Sequence, residues 1–392
     1  MKRTTILLAL AIIAMTAAAG GRGNVFSRTN KGQKTERTAA VNSQRNKADA
    51  VFESVKQQYE QGKISADSVV SLALYHKVWS PELAERCLQL VMRNGNPRTM
   101  AELGVLYAFS PEFSGRASEG VRLLQESAKA GYNDANAYLG FYYYTQKDYK
   151  KAKTYFDACR EIKYGFADAA IGGMYIEGKG VKEDPVKARE YYRQSALKGY
   201  PRGMTLYGFN LRATGGGPVN YPDAFYWLYM AGDLGEDAAR TALFLPRRKG
   251  NVGETDTEKD AAMALQWIEM AQAGKNIKNE PIYKDGFLAG LKDRERAAEQ
   301  GDDWARFYLG SMNYNGDFLN RNYDQVLRYY IPISQNAKLP APVLALVNER
   351  LARIYTEGKV VKADRAKAEH YMREAARHGN LTAYKTVEGI SE

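Results

Sequence analysis

A glycine-containing motif recurs along this chain of 392 residues. The pattern Leu-Gly-x-x-Tyr occupies residues 103–107 and 139–143, and related versions occupy residues 171–175 and 351–355. The first motif glycines are spaced by 36, 32 and 36 residues: Gly104, Gly140, Gly172 and Gly208. Self-similarity with a period of about 20–50 residues is typical of solenoid proteins. The repeat therefore predicts an array of similar units rather than a single globular core.

A second helical pattern follows each motif and contains small residues. Two examples are residues 188–198, which end at Gly199, and residues 366–377, which end just before Gly379. Gly or Ala lets a neighbouring helix pack close to the backbone, and Gly after a helix adopts the left-handed conformation that turns the chain. Asp184 and Asp364 stand where these second helices begin and are predicted caps. The sequence shows no convincing strand pattern, so the predicted fold class is all-α.

The repeats match a known pattern most fully between Ala167 and Gly199. This stretch contains Ile-Gly-Gly-Met-Tyr at 171–175, Gly-Lys-Gly-Val at 178–181 and Lys-Ala-Arg-Glu-Tyr-Tyr at 187–192. The pattern resembles the Sel1-like repeat, a relative of the tetratricopeptide repeat, and the resemblance extends over about residues 97–384. It implies a right-handed α/α solenoid of stacked helix-turn-helix repeats. Three stretches depart from the pattern, namely residues 241–260, 275–300 and 339–342. They are predicted to be surface loops, which either bind a partner or have lost the repeat pattern by neutral sequence drift.

The two ends of the chain differ in character from the repeats. Residues 1–19 carry Lys2 and Arg3, then an apolar run and small residues, which together predict a secretory signal cleaved before Gly20. Residues 20–47 are polar and basic and predict a flexible linker. Residues 48–96 predict an N-terminal helical segment, and residues 385–392 a C-terminal tail. The protein is therefore expected to be exported, either periplasmic or secreted, with no transmembrane anchor once the signal is cleaved.

The net charge of +11 does not predict nucleic-acid binding once the charges are located. Residues 1–19 contribute +2 and residues 20–47 contribute +6, which leaves +3 for the remaining chain. A protein that neutralises many phosphates needs a basic face on its folded part. We therefore expect no nucleic-acid partner.

The sequence contains no convincing set of catalytic, cofactor or metal-binding residues. The three histidines, at positions 76, 370 and 378, lack zinc-type spacing, so no metal site is predicted. Cys87 and Cys159 fall at equivalent positions two repeats apart, too far for a disulfide. Ser195 and Lys198 form a Ser-x-x-Lys pattern known from serine enzymes that act on the cell wall, but the companion motifs are absent. The end of a repeat helix is the better interpretation of that pattern.

Surplus aromatic residues are the best candidates for a binding surface. Tyrosines 107, 143, 175 and 355 stand at motif positions, where core packing explains them. Additional rings stand in two dense segments, and one helix cannot turn every ring inward. Aromatic side chains are enriched at protein interfaces. The candidate partner-binding residues are Tyr138, Tyr142, Tyr144, Phe225, Tyr226, Trp227 and Tyr229, and core packing is the alternative for each of them.

These observations favour a non-enzymatic exported scaffold that binds a protein or peptide through its helical surface. Proteins with similar repeats act in envelope assembly, polysaccharide export, signalling control and host contact, and the resemblance does not choose among these roles. The first alternative is a module that binds cell-envelope glycan or peptidoglycan, since Tyr and Trp rings also suit sugars. The second, less favoured, alternative is a cell-wall hydrolase that uses Ser195.

Overall fold

The computed structural model describes residues 47–77, 80–92, 95–161, 165–243, 287, 289–358 and 361–388. The predicted signal, nearly all of the predicted linker, most of the departure at 241–260 and half of the departure at 275–300 lie outside these residues. The chain divides between residues 162 and 163 into two compact units. We call their described parts the N-terminal unit (residues 47–161) and the C-terminal unit (residues 165–388).

The N-terminal unit consists of helices that pack in consecutive pairs, α2 with α3, α4 with α5, and α6 with α7. Its core joins Val69 and Leu88 of the first pair to Leu106 and Leu123 of the second. The first helical pair, α2 and α3, thus shares one core with the first motif-containing repeat. The helices are α1 (47–60), α2 (Ala66–His76), α3 (Pro81–Met92), α4 (Pro97–Phe109), α5 (Ala117–Lys129), α6 (Asp134–Thr145) and α7 (Tyr149–Ala158), with a 3₁₀ helix at Pro111–Arg116 between α4 and α5.

The C-terminal unit continues the same pairing, α8 with α9, α10 with α11, α14 with α15 and α16 with α17. Here α11 also packs against α13 and α14. No strand occurs among the residues that the structure describes, and the predicted all-α solenoid is confirmed. The helices are α8 (Phe166–Glu177), α9 (Pro185–Leu197), α10 (Pro201–Leu211), α11 (Tyr221–Asp233), α12 (Asp237–Ala242), α13 (Ala289–Glu299), α14 (Asp303–Asn315), α15 (Tyr323–Ile333), α16 (Ala341–Glu357), α17 (Arg365–Arg377) and α18 (Leu381–Glu388).

The motif glycines mark the places where the two helices of a repeat touch. A Cβ atom on Gly172 would lie 2.6 Å from Cε1 of Tyr192, and one on Gly208 would lie 2.6 Å from Cγ of Leu228. Gly104, Gly140 and Gly310 are equally confined by the following helix. The prediction that these glycines permit close helix packing is confirmed.

The predicted caps are also present. The Asp184 carboxylate accepts a hydrogen bond from the backbone N–H of Lys187 at 3.0 Å, and Asp364 does the same for Lys367 at 3.0 Å. Two interpretations of departures are wrong. Residues 289–299, within the stretch 275–300, form the helix α13, and residues 339–342 do not form a surface loop. Leu339 is buried in the core of the C-terminal unit, and the stretch leads directly into α16.

Candidate partner-binding surface

The aromatic segment of α11 lies in the core of the C-terminal unit. Phe225, Tyr226 and Tyr229 are almost fully buried, and Trp227 is only 8% exposed. Phe225 lies 5.4 Å from Phe287 and 5.1 Å from Phe318, measured between ring centroids. These four rings pack against other helices instead of facing solvent, which corrects the expectation that this segment forms a surface. Burial follows from the number of helices around α11, with α10, α12, α13 and α14 all in contact.

The same unit contains a buried polar network that was not predicted from the sequence. The Arg350 guanidinium donates two hydrogen bonds to the Asp233 carboxylate, at 2.7 and 2.8 Å, and a third to the Tyr330 hydroxyl at 2.7 Å. The Asn315 amide donates to Asp233 at 2.8 Å and to the Tyr229 hydroxyl at 3.0 Å. Although burial opposes its charge, the pKa of Arg350 is held well above the ordinary arginine value by Asp233. The network joins α11, α14, α15 and α16.

Alignment of the repeats on their motif glycines would have indicated this network. Arg350 stands two residues before Ala352, which takes the place of the motif glycine. The equivalent residues in three other repeats, Tyr138, Glu102 and Tyr308, are buried, and those in two more, Ala170 and Leu206, are half-buried. A charged residue at a position that most repeats bury must find a partner inside the protein.

Tyr138 in the N-terminal unit is also a core residue. It is buried, and its hydroxyl lies 3.5 Å from Oε1 of the buried Glu102. Burial raises the pKa of the Glu102 carboxyl above its ordinary value, although Lys77 and Arg98 act in the opposite direction. Tyr138 therefore packs within the unit, as the core alternative expected. Tyr142 and Tyr144 of the same helix are only half-buried.

Four half-buried rings of the N-terminal unit follow one another in a continuous row, which we call the aromatic ribbon. Tyr155 of α7 stacks on Tyr143 of α6 with centroids 5.4 Å apart and planes at 1°. Tyr143 contacts Tyr142 at 5.5 Å, and Tyr142 contacts Phe109 of α4 at 6.1 Å. Partial burial raises the pKa of Tyr143, and the adjacent Tyr155 adds to this effect. The ribbon thus consists of Phe109, Tyr142, Tyr143 and Tyr155.

Part of the ribbon belongs to the repeat, and part is particular to this unit. The stacked tyrosine pair recurs as Tyr175 with Tyr191, at 5.5 Å, and as Tyr355 with Tyr371, at 5.7 Å. The position of Tyr142 is different, because four other repeats fill it with a buried aliphatic or thioether side chain, namely Leu106, Met174, Met312 and Ile354. The repeat of Gly208 has the smaller, half-buried Asn210 there. Tyr142 is therefore larger than the repeat requires, and its ring is partly exposed.

The polar atoms of the ribbon are available to a ligand. Among the described residues, no protein group forms a hydrogen bond with the hydroxyls of Tyr142, Tyr143 or Tyr155. The Lys151 ammonium lies 5.1 Å from the centroid of Tyr143 and 3.0 Å from the Asp148 carboxylate. Tyr144 lies beside the ribbon and contacts Tyr149 at 5.3 Å. Together these groups present apolar ring edges, three hydroxyls and a cation.

The Ser-x-x-Lys pattern has a structural role in the C-terminal unit. Ser195 is fully buried, and its hydroxyl donates a hydrogen bond to the Gly165 carbonyl oxygen at 2.6 Å. Lys198 forms an ion pair with the buried Asp168 at 2.5 Å. Ser127 repeats the serine contact in the N-terminal unit by donating to the Pro97 carbonyl oxygen at 2.5 Å. Both serines thus tie the second helix of a repeat to the start of the first helix.

Neither cysteine forms a disulfide, since Cys87 and Cys159 are both buried thiols. Among the described residues, there is no cluster of three or more His, Cys, Asp or Glu side chains that suits a metal ion. The same residues include no helix that is both long and apolar enough to cross a membrane.

Similar proteins place these features in a family. The model of the Sel1 repeat matches residues 166–200, 201–236, 251–271, 305–332 and 347–380. An uncharacterized protein of Neisseria meningitidis serogroup B is 25% identical over 250 residues, which cover 62% of this chain and 53% of that protein. The chain therefore spans about half the length of this curated relative.

Two solved structures are similar at low sequence identity. One is a protective antigen of uropathogenic Escherichia coli strains that displays an SLR fold, with 18% identity, a TM-score of 0.41, and coverage of 86% of this chain and 82% of the antigen. The other is a Sel1 repeat protein from Oxalobacter formigenes, with 19% identity, a TM-score of 0.32, and coverage of 78% and 89% respectively. Sel1 repeats generally mediate protein–protein interaction, and proteins that contain them are typically non-enzymatic scaffolds. With five matched repeats between residues 166 and 380, this chain belongs to the Sel1 repeat proteins.

Proposed function

We propose that this protein is an exported, non-enzymatic scaffold that binds a protein or peptide partner through the aromatic ribbon of its N-terminal unit. The observation that carries the proposal is Tyr142. Four other repeats use a smaller, buried residue at this position, whereas Tyr142 is half-buried and its hydroxyl has no partner among the described residues. Partly exposed aromatic rings with a polar tip are the residues that most often anchor protein interfaces.

The arrangement of the rings favours a polypeptide over a glycan. A sugar ring stacks on an open aromatic face. In the ribbon, Tyr143 turns a face to Tyr155, and Tyr142 meets Tyr143 and Phe109 at interplanar angles of 82° and 72°. The stacked and T-shaped contacts thus leave fewer open ring faces for a sugar, while the hydroxyls of Tyr142, Tyr143 and Tyr155 form no hydrogen bond with the described residues. A polypeptide supplies both the apolar side chains and the backbone carbonyls that suit these groups.

Capture from the cell envelope tests the interaction. The bait is residues 20–392, compared with a ribbon variant, Phe109→Ala with Tyr142→Ala, and with the control Tyr75→Ala. Tyr75 is 61% exposed and lies in the same unit outside the ribbon. We expect a partner that the wild-type chain and the control capture and the ribbon variant loses. That partner is then purified and titrated against each bait.

Two results would count against the proposal. A partner that binds the ribbon variant as tightly as the wild-type chain would exclude the ribbon as the binding surface. Binding of purified peptidoglycan fragments that depends on Tyr142, without a protein partner, would favour the glycan alternative. Export is tested separately by cell fractionation, and we expect the full chain in the envelope or medium and a chain without residues 1–19 in the cytoplasm.

A further inference from the structure

In the turn between α6 and α7 a lysine stands where most of the described helices are followed by a glycine. Lys147 follows α6 with a φ of +60°, in the left-handed region. Side chains cost about 1 kcal/mol or more in this conformation, whereas glycine adopts it freely. Other helices end near a glycine with positive φ, namely Gly62, Gly95, Gly131, Gly178, Gly199, Gly235, Gly301, Gly316, Gly358 and Gly379. A lysine at this position weakens the fold, so packing does not account for it.

The next turn of the chain adds further positive charge. Lys150 and Lys151 lie in the first turn of α7, which contains no acidic residue. Positive charge is unfavourable at a helix N-terminus because the helix dipole is positive there. Lys151 pairs with Asp148 at 3.0 Å, whereas Lys147 and Lys150 take part in no ion pair with the described residues. Both of these lysines are exposed.

The turn and the ribbon are parts of one surface. The backbone N–H of Lys147 donates to the Tyr144 carbonyl oxygen at 3.0 Å, and the backbone N–H of Asp148 donates to the Tyr143 carbonyl oxygen at 2.9 Å. The turn therefore folds back onto the end of α6 that presents Tyr142 and Tyr143. Lys151 in turn lies over the ring of Tyr143. Two exposed cations without an ion pair to the described residues thus lie in the chain segment that joins Tyr143 to Tyr155 of the ribbon.

We infer that the partner of this surface is an acidic polypeptide segment in which carboxylate side chains alternate with apolar ones, the carboxylates pairing with Lys147 and Lys150 and the apolar side chains packing on the aromatic ribbon. The inference rests on the proposed function and specifies the chemistry of the partner. Opposite charge at the edge of an interface selects partners and speeds association, while the rings provide the buried contact. Two lysines are too few to hold a nucleic acid by its phosphates.

A library of displayed random peptides, selected on the full chain, tests this chemistry. We expect enriched peptides to combine Asp or Glu with Leu, Phe or other apolar residues. Their affinity should fall roughly twofold to fivefold in Lys150→Gln, the range of exposed ion pairs, and should weaken with added salt in the wild-type chain more than in the variant. Lys129→Gln is the matched control, because Lys129 is an exposed lysine at the end of α5 in the same unit.

Lys147→Gly separates a binding role from a structural one. Glycine relieves the left-handed conformation, so we expect a higher melting temperature together with a roughly twofold to fivefold loss of peptide affinity. A lysine that served only the fold would give the opposite result, a lower melting temperature with unchanged affinity, and would overturn the inference.

The selection distinguishes failure of this inference from failure of the proposed function. Enriched peptides that need Tyr142 but contain no excess of acidic residues would refute the acidic partner and leave the ribbon as a polypeptide-binding surface. If no enriched peptide depends on Tyr142, both proposals fail. Enrichment of basic peptides would contradict the charge argument directly.

Discussion

Two segments of this protein are similar in aromatic content and differ in how deeply their rings are buried. Residues 138–144 of α6 and residues 225–229 of α11 are both dense in aromatic residues. Within residues 225–229 every ring is buried, whereas within residues 138–144 only the Tyr138 ring is buried and the later rings are half-exposed. Ring content therefore does not decide whether a segment packs or binds. The decisive factor is how many other helices surround it.

The partners of α11 come from distant parts of the sequence. Phe287, Trp304 and Phe318 all contact the α11 segment, and they follow it in the chain by about 60 to 90 residues. The rings of α6 meet mainly their immediate neighbours in α4 and α7. A side chain that has only local neighbours keeps part of its surface in water, and such a surface remains open to a partner.

The largest expected effect compares one ring from each segment. Phe225→Ala removes a fully buried ring and should lower the free energy of unfolding by about 3–5 kcal/mol. Tyr142→Ala removes a half-buried ring without a hydrogen bond, and we expect a loss below about 1 kcal/mol together with the loss of partner binding. Chemical denaturation of both variants measures the difference. Equal destabilisation would show that Tyr142 is a core residue and would refute the comparison.

A second test addresses the charges inside the C-terminal unit. Arg350→Ala leaves the buried Asp233 carboxylate without the guanidinium that balances its charge, and should cost about 3–5 kcal/mol. The double variant Arg350→Met with Asp233→Leu removes both charges and should recover most of that loss. Thermal denaturation of the wild-type chain, Arg350→Ala and the double variant measures the loss of stability and its recovery. If the double variant is as unstable as Arg350→Ala, the hydrogen bonds to Tyr330 and Asn315 matter more than the ion pair.

A third test compares two adjacent glycines within one helix. Gly172→Val places a side chain against Tyr192 and should cost about 1–3 kcal/mol by overpacking. Gly173→Val is the control, because a Cβ there would meet only the Tyr192 hydroxyl, at 3.9 Å. Both variants carry the same loss or gain of helix propensity. Equal melting temperatures would show that the motif glycine is not needed for close packing.

The sequence was sufficient for features that repeat and insufficient for features that do not. The motif glycines, the caps at Asp184 and Asp364 and the helix pairs follow from the period, since each contact joins residues a fixed distance apart. The Arg350–Asp233 pair spans 117 residues and obeys no period. The burial of Trp227 depends in the same way on Trp304. Surface and core rings could not be separated from the sequence, because exposure depends on these long-range neighbours.

The smallest expected effect concerns pH and the N-terminal unit. Glu102 lies in α4, and burial raises the pKa of its carboxyl above the ordinary value of about 4.5. The folded state therefore holds a proton more tightly than the unfolded state does. The stability from this proton is complete below about pH 4.5 and decreases as pH rises through the raised pKa. The groups that face Glu102 include Lys77, Arg98, Asp134 and Tyr138, and the two cations limit the effect.

Glu102→Gln supplies the control, because glutamine keeps the shape and cannot ionise. Hydrogen exchange of α4 amides, followed across pH and corrected for intrinsic exchange, should show protection that falls with rising pH in the wild-type chain and less so in the variant. The amides of α10 in the C-terminal unit provide an internal reference. Identical pH profiles for α4 in both proteins would mean that Glu102 stays ionised, so that Lys77 and Arg98 outweigh its burial. The buried charge of the N-terminal unit would then be stabilised by nearby cations, as Asp233 is by Arg350 in the C-terminal unit.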